Sequence, residues 1–113
     1  MEDWALKAYK QMIETGNDWA EKEGAFGVLD DSNKSVLAEC KMQSEAKSDA
    51  AKEMEARASE TYTDFLDKLG KARKAKVLAK VKYDAIKAFG SFRQTQQSLE
   101  KAKFNAESNL TKG

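Results

Sequence analysis

No proline interrupts the 113 residues of this chain, and from Lys68 to Lys103 apolar residues recur on two sides of what would be one unbroken helix. Proline costs about 3 kcal/mol in a helix interior. Its absence leaves almost every position between the six glycines open to helix. No segment alternates β-branched or aromatic residues with polar ones between turn residues, as a strand requires. The pattern predicts an all-α chain with its centre in the run Lys76 to Arg93.

At this length one domain is expected, and a monomer buries only about two-thirds of the surface its unfolded chain exposes. The core must be thin or shared with another copy. Histidine is absent and Cys40 is the only cysteine, which removes imidazole acid–base chemistry, Cys and His zinc sites and internal disulfides together. Cys40 shares a helical face with Val36, Leu37 and Ser44 and reads as a small buried residue. The pairs Asp30–Asp31 and Glu53–Glu55 lack the apolar setting and the neighbouring nucleophile of a catalytic dyad. No enzyme activity, cofactor or metal is expected. No apolar run approaches the ~20 residues of a membrane span, and Met1 is followed by charge rather than by a signal peptide, so no membrane contact and a cytoplasmic location are expected.

The chain divides into a helix over about 3–23, a connector over 24–31, a second helix over about 33–58 and a long third helix over about 62–106. Asp3 is placed to cap the first helix, in which Trp4, Tyr9, Met12, Ile13, Trp19 and Ala20 recur near helical spacing. Gly24 and Gly27 break that pattern. They do not form a phosphate loop, because no Lys-Ser/Thr follows and acids close the segment. In the second helix the inward set is Leu37, Cys40, Ser44, Lys47, Ala51, Met54 and Ala58, with Lys47 as a charged interruption. The reversal into the third helix is expected near Ser59 to Thr63.

The third helix has one heptad-like seam, Phe65, Leu69, Ala72, Ala79, Tyr83, Ile86, Gly90, Gln97 and Phe104. A second stripe, Leu66, Gly70, Val77, Val81, Ala88, Phe92 and Leu99, lies well over a right angle away. A helix apolar on two sides is sandwiched. The expected architecture is an antiparallel helical hairpin or three-helix bundle, coiled-coil-like, with one long C-terminal helix. Self-association into a homo-oligomer would then use Val77, Val81, Ala88, Phe92 and Leu99 as the interface.

Charge is divided unevenly. Met1 to Asp67 holds 16 acids and 8 bases, whereas Lys68 to Gly113 holds 12 bases and 3 acids. The acidic part could lie against the basic part and fix the helix pairing, or the basic part could meet a polyanion. The candidate nucleic-acid residues are Lys68, Lys71, Arg73, Lys74, Lys76, Lys80 and Lys82, a stretch with no acid from Lys68 through Tyr83. They scatter around the helical wheel, which favours solvated charge and salt bridges to acids such as Glu55. Non-specific phosphate binding needs only charge density, and neutralising about five phosphates would give a salt slope of roughly −4.5.

Two pairs of segments carry a resemblance. Trp4-Ala-Leu-Lys-Ala-Tyr9 with Gly16-Asn-Asp-Trp19, and Val81-Lys-Tyr-Asp-Ala-Ile-Lys-Ala-Phe89 with Arg93-Gln-Thr-Gln-Gln97, resemble a group of small helical bacteriophage and prophage proteins, often encoded beside single-strand annealing recombination genes. The late basic, Tyr and Arg-Thr-Gln segment of that group is met here by Arg93, Gln94 and Thr95 with one inserted glutamine. The resemblance implies a setting in phage DNA metabolism inside a bacterial host and transfers no functional residue. The expected function is therefore a non-enzymatic accessory or adaptor in phage DNA recombination or replication, contacting single- or double-stranded DNA through the basic run. The alternatives are a protein-binding module acting on a host or phage protein without DNA contact, and a scaffold component of the virion.

Overall fold

The computed structural model describes residues 3–112, with side chains through 108, and every regular element in it is helical. Helix α1 runs from Asp3 to Met42, α2 from Asp49 to Ala58 and α3 from Glu60 to Lys112. The molecule measures 93 × 22 × 16 Å with a radius of gyration of 25.8 Å. A compact domain of this length has a radius of about 13 Å. The chain is a thin rod.

Helices α1 and α3 lie side by side and run in opposite directions. Trp4 meets Arg93, Gly16 meets Tyr83, Phe26 meets Arg73 and Lys76, and Asn33 meets Tyr62. On α3 the half-buried or buried positions Tyr62, Phe65, Leu69, Ala72, Lys76, Ala79, Tyr83, Ile86, Gly90, Arg93 and Gln97 follow in unbroken steps of three and four, with Ala75 half-buried beside them and Ser108 near the end of the helix. On α1 the same step runs through Met12, Thr15, Trp19, Lys22, Phe26, Leu29, Asn33, Val36 and Cys40. Such spacing keeps each face turned to its neighbour over many turns. The inward face of α3 ends at Gln97, level with the start of α1, and Phe104, read as part of the seam, is exposed because α1 does not extend that far.

The expected connector is helical. Glycine costs a helix about 1 kcal/mol relative to alanine, and two such costs are smaller than what Phe26 and Leu29 recover by packing, half-buried, on α3. Helix α1 therefore runs through Gly24 and Gly27 without a break. Tyr9, Ile13 and Ala20, read as core, face solvent, because Met12, Thr15 and Trp19 hold the side of α1 that meets α3.

The break falls instead inside the expected second helix, at residues 43–48. Serines supply the alternative to helix there. Ser44 Oγ accepts from Ala46 N–H at 3.2 Å and donates to the Glu55 carboxylate. Ser48 caps α2 by accepting from Ala51 N–H at 3.1 Å. The loop also releases Lys47 from the seam into water. Helix α2, ten residues long, packs with its neighbours only at this end, so the rod is two helices thick along most of its length. Met54 and Ala58, expected inward, are exposed, and Ala56 takes their place in a core with Cys40 and Tyr62. A second break at Ser59 starts α3, where Ser59 Oγ accepts from Tyr62 N–H at 3.2 Å and donates to the Ala56 carbonyl at 2.6 Å.

Candidate interaction surfaces of the rod

The seven basic residues singled out in the sequence separate into two groups. Arg73 and Lys76 lie over the Phe26 ring at 5.2 and 4.5 Å from its centroid, and Lys80 lies 5.8 Å from that of Trp19. These three reach across to α1. Lys71 pairs with Asp67 one turn back on the same helix, at 3.1 Å. Lys68, Lys74 and Lys82 are exposed and make no ion pair among the described residues. Beyond the run, Lys87 lies over Tyr83 at 5.6 Å and Arg93 over Trp4 at 5.0 Å.

Cations over rings thus join the basic helix to the aromatic positions of the acidic half. Each such contact is worth about 0.5–1 kcal/mol at an exposed site and more where water is excluded. Carboxylates play a smaller part than the charge division suggests. The ion pairs among the described residues, Lys22–Asp18, Lys41–Asp49, Arg57–Glu53 and Lys71–Asp67, never link α1 to α3. Glu55, a candidate partner of the basic run, takes the Ser44 hydroxyl instead. The indole N–H groups of Trp4 and Trp19 are buried and meet no acceptor among the described residues. What holds those rings is contact with Tyr83 and with cations.

On the outer side of α3 the second stripe stands in solvent. Val77, Val81, Phe92 and Leu99 are 51, 58, 62 and 67% exposed, and Ala88 is exposed between them. Leu78 and Phe89 widen the patch. The stripe repeats every eleven residues, as Leu66, Val77, Ala88 and Leu99, with Gly70, Val81 and Phe92 four residues further on.

A stripe on the outer side of α1 includes Tyr9, Ile13 and Ala20, which the sequence reading placed in the core. Leu6, Asn17 and Val28 are spaced by eleven residues, as are Tyr9, Ala20 and Asp31, and Ile13, Gly24 and Ser35, and all nine are exposed. Only Asp31 among them is charged. Its apolar members are Leu6, Tyr9, Ile13, Ala20 and Val28, and only Val28 depends on α1 continuing through Gly24 and Gly27. Among the described residues, no three of His, Cys, Asp and Glu gather closely enough to hold a metal ion, and no helix is long and apolar enough to cross a membrane.

The architecture defines an all-helical, elongated protein whose exposed features are apolar stripes and lysines. Comparison with protein-family models, with curated proteins and with solved structures returns no match.

Proposed function

We propose that this chain is a non-enzymatic, self-associating accessory or adaptor rod that works by protein contact, with Val77, Val81, Ala88, Phe92 and Leu99 at its interface. The observation that carries this reading is the exposure of all five on one helix. Surface area supports it. The molecule exposes 8960 Å², whereas a compact monomer of 12.6 kDa exposes about 6,200 Å². The excess is larger than the ~1,200–2,000 Å² that a stable interface removes. Light scattering on the purified protein tests the reading: the mass stands above that of one chain and falls to one chain in Val81→Asp/Phe92→Asp. A wild-type protein that stays at single-chain mass at high concentration refutes it.

Nucleic-acid contact is the second reading, favoured by Lys68, Lys71, Lys74 and Lys82, whose side chains point into solvent rather than onto the rings of α1. A role beside phage DNA recombination or replication, or in a virion scaffold, rests on the sequence resemblance and belongs to this proposal. Anisotropy with single- and double-stranded oligonucleotides tests DNA contact, and no binding at low salt removes it.

A further inference from the structure

We infer that the surface covering the outer stripe of α3 is the outer face of α1 from a second copy, so that the protein assembles through contact between unlike faces. This deepens the self-association proposed above and rests on it.

Period is the first argument. The faces that α1 and α3 turn to each other within one chain step by sevens, while the outer stripe of α3 repeats its apolar residues every eleven. On a helix of about 3.6 residues per turn, seven- and eleven-residue steps drift in opposite senses by about 20° each. A stripe of one period leaves a stripe of the other after a few turns. The outer stripe of α3 therefore winds away from the seam that α1 of the same chain follows, and a different helix must cover it.

Charge is the second. The stripe of α3 is edged on one side by exposed Lys74 and Lys82, with Lys71 beside them paired to Asp67, and on the other side by exposed Asp84. Two such faces brought together in parallel would place these lysines against their own copies, an antiparallel pair centred on the stripe still sets Lys82 beside its copy, and like charges in contact are unfavourable. The outer face of α1 carries exposed Lys10 and Asp31 and is edged by exposed Glu14 and Glu21, so acids outnumber bases on it. Position agrees. The contacts of Gly16 and Phe26 with α3 fix which residues of the two helices stand level in the rod. A second copy laid alongside in the same direction without axial shift brings Leu6 to the level of Phe92, Val28 to that of Gly70, and Glu14 to within a turn of Lys82. Bulk meets a small residue where Val28 faces Gly70, and carboxylate meets ammonium at Lys82.

The two outer faces look away from each other across the rod. A copy that receives α1 of a second on its α3 still offers its own α1 to a third. Contact between unlike faces therefore does not close at two chains, and produces a ring or an open row.

Face-specific variants test this. Val77→Asp/Val81→Asp spoils the α3 face, and Ile13→Asp/Val28→Asp spoils the α1 face, all at exposed positions. Sedimentation velocity is run on wild type, on each variant and on their equimolar mixture, with far-UV circular dichroism to follow helix content. The expected result is wild type above dimer mass, each variant at single-chain mass, and a mixture that forms one-to-one pairs and stops there. If the α1-face variant still associates alone while the α3-face variant does not, two α3 stripes meet each other, and the inference falls while self-association stands. A mixture that forms no pairs also overturns it. Wild type at single-chain mass removes the underlying reading as well, and if that single chain binds phosphatidylglycerol vesicles, the stripe of α3 serves a lipid surface. Should the aspartate variants lose helix, Glu14→Lys/Glu21→Lys and Lys74→Glu/Lys82→Glu leave the apolar contacts intact. Each of these alone associates more weakly, and their mixture, in which both kinds of contact pair opposite charges, recovers the wild-type mass.

Discussion

Trp19 of α1 stacks on Tyr83 of α3 with ring centroids 5.5 Å apart and planes 28° from parallel. On the same ring, a Cβ built at Gly16 would meet Tyr83 Cε1 at 3.2 Å. Tyr83 is thus held between the indole and the α1 backbone, and Gly16 is what lets the helices come this close. Gly27, by contrast, has nothing within 4 Å of where its Cβ would stand. Alanine at either site gains about 1 kcal/mol of helix propensity. Gly27→Ala is expected to keep that gain in urea denaturation, and Gly16→Ala to lose it or to fall below wild type, because Tyr83 can only yield against Trp19.

The Trp19 indole N–H has no acceptor among the described residues, so its contribution comes from ring contact with Tyr83 and Lys80. Trp19→Phe is expected to cost less than about 1.5 kcal/mol, since it keeps an aromatic face and abandons no hydrogen bond. Trp19→Ala is expected to cost about 2–3 kcal/mol, the lower part of the range for aromatic truncation because the ring is only half-buried. Equal losses in urea denaturation of the two variants would show that the N–H matters.

Much of the inward face of α3 was legible in the sequence, because Leu69, Ala72, Ala79, Tyr83 and Ile86 repeat as a heptad and the partner helix respects that repeat. The outer stripe was legible too, since Val77, Val81 and Phe92 are large and apolar wherever the helix turns them. Helix ends were harder. Gly24 and Gly27 looked like a break, yet their cost is local and small beside the packing of Phe26 and Leu29 on a helix distant in sequence. The true break at residues 43–48 has neither glycine nor proline, and rests on serine hydroxyls competing for backbone and carboxylate groups. The division of the basic run was not legible for a related reason: a lysine's charge is plain in sequence, but whether it lies over a ring depends on the register of two helices.

At the tip of the rod, the Tyr62 hydroxyl donates to Asn33 Oδ1 at 2.7 Å, joining the start of α3 to α1. Tyr62 is 4% exposed, so removing one partner leaves the other short of a hydrogen bond in a confined place, at about 1–3 kcal/mol. Tyr62→Phe and Asn33→Ala are each expected to destabilise by that amount, and the double variant by less than the sum of the two. A double-mutant cycle in urea reads the coupling directly. Strict additivity would mean that the bond contributes nothing.

The division of the basic run gives the sharpest separation between structural and binding roles. Lys76 is half-buried, with its ammonium 4.5 Å from the Phe26 centroid, whereas Lys74 is exposed and touches no ring. Lys76→Glu exchanges an attractive cation for an anion above the negative face of Phe26, and is expected to destabilise the rod by about 1 kcal/mol or more. Lys74→Glu is expected to fall within about 0.5 kcal/mol of wild type, the usual range for an exposed substitution. If the chain also binds oligonucleotides, the order inverts in anisotropy: Lys74→Gln weakens binding and lowers its salt dependence, while Lys76→Gln, which removes the same single charge from a side chain already committed to α1, has the smaller effect. Equal effects of these two on stability would mean that the ring contacts do not hold the helices together, and the case for α3 pairing with α1 through cations would fail on that measurement alone.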